Sequence, residues 1–103
     1  MDWNKKNKRL IQAILALETQ DEARRFLRDL MTRNEIEEFS KRLQAAELLS
    51  QNFSYFEIET RTGFSSTTVA RVSKWLNKGM GGYKMIINKM HHHNSIQAER
   101  GLS

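Results

Sequence analysis

Apolar residues recur along this chain at the helical spacings i, i+3, i+4 and i+7, and no segment shows the strict alternation of a half-buried strand. No proline interrupts the pattern. The expected fold class is all-α, with about six helices. Leu10, Ile11, Ile14 and Leu15 place the first helix over Asn4 to Leu17. Lys5, Lys6, Lys8 and Arg9 crowd its start, where positive charge opposes the helix dipole and predicts a frayed first turn. That turn would serve either as a flexible basic arm or only for solubility. Thr19 and Glu22 form a capping box opening a second helix from Gln20 to Met31, striped by Ala23, Phe26, Leu27, Leu30 and Met31. Thr32 and Glu35 open the longest helix in the same way, from Arg33 to about Asn52. Its seam is Ile36, Phe39, Leu43, Ala46 and Phe53, widened by Ala45, Leu48 and Leu49.

The stretch from Ser54 to Lys78 reads as two short helices joined by a tight turn. Ser54 and Glu57 cap the first, and Gly63 stands where the chain must reverse, a position that favours φ > 0. Ser65 caps the second, over about 66–77, and Gly79 ends it. Val69, Val72 and Leu76 recur at i, i+3 and i+7 and share its buried face, with Ile58 and Phe64 completing the apolar set. The opposite face carries Ser66, Thr67, Ala70, Arg71 and Lys74, without a single acid. This is the layout of a helix-turn-helix, whose second helix enters the DNA major groove. An ordinary helical hairpin with a solvated face is the plainer reading, and Glu59, where the turn pattern prefers a small residue, counts toward it. After the break Gly79–Gly82, Tyr83, Ile86, Ile87 and Met90 predict a last helix from Gly82 to Met90. Residues 1–90 are expected to form one domain and 91–103 a disordered tail.

Charge sharpens the picture. The net charge is +5, but no Asp or Glu occurs from Arg61 to Ala98, against six Lys and Arg. The stretch before it, 10–59, is acidic by four. A basic half that coincides with the helix-turn-helix points to a polyanion partner. No run approaches the ~20 apolar residues of a membrane span. The absence of cysteine excludes thiolate metal sites and fits a cytoplasmic location, as does an N-terminus without an apolar signal core. His91, His92 and His93 are consecutive and cannot share one helical face, which argues against a preformed metal site. No metal is expected.

Two segments, TRNEIEEFSKRLQAAELL and TGFSSTTVARVSKWLNKG, resemble the central helix and the turn with recognition helix of the Trp-repressor superfamily. The closer likeness is to the YerC/YecD type of Trp-repressor-like proteins, over roughly residues 5–90. The resemblance implies an intertwined, all-helical homodimer, which would also cover the wide seam of the central helix. The last helix folding over that seam in a monomer is the alternative. It also implies control by tryptophan held between two arginines, at positions matching Arg42 (or Lys41) and Arg71. Two departures argue against tryptophan here. Val72 replaces the glycine after the second arginine, and Trp75 replaces a small serine, so both fill the space of an indole. The candidate effector pocket is therefore Arg42, Arg71 and Trp75, with Trp75 either occupying the vacated space or serving as an ordinary packing residue.

The function expected is sequence-specific binding of double-stranded DNA by a transcriptional regulator, a repressor by resemblance. Ser65, Ser66, Thr67, Thr68, Ala70, Arg71, Lys74 and Lys78 are the expected contacts. Hydroxyls, Ala70 and Arg71 suit base edges or the helix N-terminal phosphate, and Lys74 and Lys78 suit phosphates. No cofactor is called for. A protein-interaction module on the same fold is the competing reading. An RNA binder fits less well because the basic face lacks stacking aromatics. An enzyme fits least, with no phosphate loop and no acid–base pair.

Overall fold

The structure is a computed structural model that describes the backbone of residues 3–101 and the side chains of 3–92. Six helices follow in order: α1 (Lys5–Leu15), α2 (Gln20–Leu30), α3 (Arg33–Ser50), α4 (Tyr55–Thr62), α5 (Ser66–Lys78) and α6 (Gly82–Gly101). No strand occurs among the described residues. Among the described residues no helix is long and apolar enough to cross a membrane.

Local chemistry places each boundary. The Asn4 side chain accepts from the Asn7 N–H at 3.0 Å, so α1 is capped and helical from Lys5 despite its lysines. The frayed first turn is thereby corrected: one side-chain acceptor satisfies a free N–H that the dipole argument alone leaves open. Both α1 and α2 end slightly earlier than the pattern suggests. Thr19, the N-cap of α2, is extended (ψ 160°), and so is Met31, where α2 ends (ψ 150°). Among the described residues, Thr32–Glu35 makes the full reciprocal box, with Glu35 N–H on the Thr32 hydroxyl at 3.1 Å and Thr32 N–H on the Glu35 carboxylate at 2.9 Å. At Thr19 the forward bond forms at 3.1 Å, but the Glu22 carboxylate takes the Glu18 N–H instead, at 3.0 Å.

The end of α3 is a reversal that the pattern does not announce. Asn52 adopts φ 65°, the left-handed region, in place of the usual glycine. Phe53 N–H then bonds the Leu48 carbonyl and Asn52 N–H the Leu49 carbonyl, each at 3.1 Å, the pairing of a Schellman turn. It turns Phe53 back onto the cluster that holds Leu48. α6 runs to Gly101, past the expected end at Met90 and through most of the span expected to be a disordered tail. No glycine or proline interrupts it between Gly82 and Gly101. Leu102 and Ser103 lie outside the described residues.

The chain forms two compact units, Met1–Glu37 and Glu38–Ser103. In the first, α1 and α2 bury no residue fully; Leu10, Ile11, Ile14 and Leu15 all stay exposed. The second holds the core: Ala45, Ala46, Leu48, Ile58, Val69 and Val72, with Leu49, Phe53, Phe64, Tyr83 and Ile87 packed against it. Only the C-terminal half of the predicted α3 seam is therefore buried. Phe39 remains 44% exposed, and Ile36 and Leu43 are half-buried. Two alanines at the centre let α3 approach its neighbours closely, while Ile58, Val69 and Val72 fill the space around them.

Candidate nucleic-acid interface

The turn between α4 and α5 is built on Gly63 and Thr62. Gly63 takes φ 77°, and its N–H bonds the Glu59 carbonyl at 2.8 Å, ending α4. Thr62 is buried; its hydroxyl donates to the Ile58 carbonyl at 2.7 Å and accepts from the Phe64 N–H at 3.2 Å. The one hydroxyl thus satisfies groups on both sides of the reversal, inside the core. Sequence reading passed over Thr62, although a threonine directly before a turn glycine is a suitable clue. Ser65 then caps α5, accepting from the Thr68 N–H at 3.2 Å, and shares a hydrogen bond with the Thr68 hydroxyl at 3.1 Å.

These bonds fix where α5 begins. Val69, Val72 and Leu76 are buried, as their spacing requires. Ser66, Thr67, Ala70, Arg71, Lys74 and Lys78 are all exposed on the other side. Ser65 and Thr68 differ from them. Their hydroxyls are engaged with each other and the cap, and Thr68 is half-buried. Ala70, Ser73, Lys74, Asn77 and Lys78 line a shallow recess of about 260 Å³ on the exposed face. Asn77 is held in it by its side-chain amide, which donates to the Ser73 carbonyl at 2.9 Å. A polar, basic surface free of carboxylates follows, presented by a helix whose back is fixed in the core.

Two of the three candidate effector-pocket residues meet. The Arg42 guanidinium carbon lies 5.1 Å from the Trp75 ring centroid and 5.2 Å from that of Phe39. Arg42 Nε is 3.5 Å from a Glu38 carboxylate oxygen, an ion pair without hydrogen-bond geometry, so this buried nitrogen has no hydrogen-bond partner. Arg71 and Lys41 stand exposed. Near the stack, Leu43, Trp75, Met80, Tyr83 and Ile86 line an open apolar recess of about 470 Å³. Burial pushes the Tyr83 hydroxyl above its ordinary pKa of 10.0, a shift that the positive charge of Arg42 opposes. A third cation–π contact sets the Arg61 guanidinium 4.7 Å from the Phe53 ring centroid.

Gly79 does end α5, but without a positive φ. Its backbone is extended (φ −83°, ψ −151°), and a Cβ there would lie 2.4 Å from the Trp75 carbonyl oxygen. The glycine answers a close approach, and the left-handed position falls to Gly81, at φ 82°. Lys5, Lys6, Lys8 and Arg9 line an open recess on α1 with Gln12, whose side chain accepts from Arg9 at 3.0 Å. No group of three or more metal-ligating side chains forms among the described residues, and the His93 side chain lies outside them.

A profile of the Trp repressor protein family matches residues 5–91. YerC of Bacillus subtilis (strain 168), itself an uncharacterized protein, is 40% identical over 81 residues, covering 79% of this chain and 78% of its own. The crystal structure of a TrpR-like protein from Eubacterium eligens superposes with a TM-score of 0.82 at 36% identity, over 85% of this chain and 91% of that one. A crystal structure from Staphylococcus aureus gives 0.81 at 39%, over 85% and 88%.

Proposed function

Because this chain belongs to the Trp repressor protein family, we propose that it is a transcriptional repressor that reads double-stranded DNA with α5. The observation that carries this reading is the exposed face of α5. Ser66, Thr67, Ala70, Arg71, Lys74 and Lys78 share it, while Val69, Val72 and Leu76 anchor the opposite face. Ser66, Thr67 and Ala70 sit in the first turns, where base edges and the helix N-terminus are reached. Arg71 is the candidate for bidentate contact with guanine, and Lys74 and Lys78 bind phosphates. Ser65 and Thr68 act by shaping the cap; one hydroxyl of the pair donates to the other, and the accepting hydroxyl keeps its own proton to donate to a phosphate.

The reading includes a homodimer in the cytoplasm. Leu10, Ile11, Ile14, Leu15, Leu27 and Leu30 are all exposed in the single chain, and so is Phe39 on α3. Apolar helix faces of this extent support a second copy as their cover. A dimer also supplies two reading helices, spaced to meet successive major grooves.

Selection from a random duplex DNA library, followed by titration at two salt concentrations and light scattering, tests the proposal. A palindromic motif bound by a dimer with steep salt dependence is the expected result. Failure to enrich any motif, with weak binding that disappears at modest salt, refutes it in favour of a protein-interaction module.

A further inference from the structure

Arg42 has more side-chain partners than any other described cation: the faces of Phe39 and Trp75, and the carboxylate of Glu38. Three of these four residues are on α3, and the fourth, Trp75, is on α5. The position of Trp75 around α5 gives the contact its meaning. At ~100° per residue, Trp75 lies about 60° from the buried Val72 and about 40° from the exposed Arg71. It marks the border between the anchoring stripe and the reading face.

The apolar anchors of α5 attract without direction, so alone they tolerate small rotations about the helix axis. A guanidinium against a ring face is directional, and Trp75 is two-fifths exposed rather than wedged in the core. We infer that Arg42 is a positioning residue for DNA recognition: it clamps Trp75 beside Phe39, fixing the rotation of α5 and the aim of Arg71 and Lys74 without touching DNA itself. The inference rests on the DNA-reading function proposed above. The clamp is supplied by the chain's own side chains, so the aim of α5 does not wait on a small molecule.

The test uses the full chain carrying Trp3→Phe, which leaves Trp75 as its sole tryptophan. Two duplexes serve as probes: the motif enriched from the random library and a scrambled version. Arg42→Gln is expected to shift Trp75 emission to longer wavelength and raise its quenching by acrylamide. It should weaken binding to the enriched duplex about fivefold, in keeping with one cation–π contact, and to the scrambled duplex by less than about twofold. Arg42→Lys, which keeps a cation over the ring, should recover most of the loss. If Arg42→Gln does not fold, Trp75→Leu, which keeps apolar volume but no ring face, should give the same loss of preference. Unchanged Trp75 emission would show that the clamp is not populated and overturn the inference while leaving DNA recognition intact. Equal losses on both duplexes would make Arg42 a phosphate contact, which also overturns it. If the parent protein enriches no motif, the DNA-reading function falls and the positioning role with it.

Discussion

Ile58 joins the two helices of the reading head: it sits on α4, fully buried, in one cluster with Val69 and Val72 of α5. Ile58→Ala removes three carbons from that site. At ~0.8 kcal/mol for each buried methylene, the transfer loss is ~2.4 kcal/mol. Ala45 and Ala46 face the same cluster and have little side chain with which to follow the retreat, so part of the volume stays empty. A residual cavity of roughly 50 Å³ adds ~1.2 kcal/mol at about 24 cal/mol per Å³. The expected total is about 3.5 kcal/mol. Urea unfolding at fixed protein concentration reads it as a lowered midpoint with an unchanged slope, since association of copies would otherwise shift the midpoint by mass action. Phe56→Ala is the control on the same helix. Its ring is 77% exposed, and the change should stay within about 0.5 kcal/mol. A cost below about 1 kcal/mol for Ile58→Ala would mean that the head is not packed through this residue, and that α5 is anchored by other means.

Four further outcomes are expected. Thr67→Asp sets a negative charge on the reading face and should abolish binding to the enriched duplex with little change in melting temperature; Lys74→Gln should instead reduce the salt-dependence slope by ~1.8, about 0.9 for the phosphate that each copy in the dimer no longer neutralises, and retained affinity in the first variant would mean the face is wrongly assigned. Gly63→Ala should cost about 1 kcal/mol in urea unfolding: nothing lies within 4 Å of the new Cβ, so only the left-handed backbone at φ +77° resists it, and a neutral result would refute that source. Hydrogen bonds from the Thr32 backbone N–H and then its hydroxyl hold the Glu35 carboxyl below its ordinary value of 4.5. A depressed carboxylate contributes stability above its unfolded pKa and loses it as pH falls through the folded one. Thermal unfolding across that acid range should therefore show a shallower decline for Glu35→Gln than for the parent, and parallel curves would count against the cap.

What the sequence made legible was mostly local. Thr32, Ser54, Gly63 and Ser65 each signal a helix end through chemistry reaching three or four residues, and the structure places all four at such ends. The anchoring face of α5 was legible for the same reason, because Val69, Val72 and Leu76 carry their own period. Asn52 was not, since asparagine adopts the left-handed region only sometimes and nothing nearby demands it. The length of α6 was missed because polar, helix-competent residues look alike in a helix and in a tail. An apolar stripe also does not name its partner, so the pattern could not separate the buried Ala46 from the exposed Phe39 on the same seam. Arg42 and Trp75, far apart in sequence, were set in one pocket by the family resemblance and not by the apolar pattern, and the structure brings these two into contact. The candidate site was accordingly clearer in its residue types than in its geometry. Ser65 and Thr68 carry the right hydroxyls, and the structure adds a hydrogen bond between them that their residue types alone do not announce.

The turn at Gly63 bears on how the protein is made as well as on how it reads. Its donors and acceptors, from Ser54 through Thr68, are close neighbours in the chain. Closing such short loops costs little entropy, so α4 and α5 can dock early in refolding, ahead of any encounter with another molecule. Stopped-flow refolding should then contain a fast phase whose rate does not change with protein concentration. A nascent chain would carry a finished head while its exposed α1 and α2 stripes still await cover. The order of events is written into the spacing of the caps: the part that recognises is completed first, and assembly comes after.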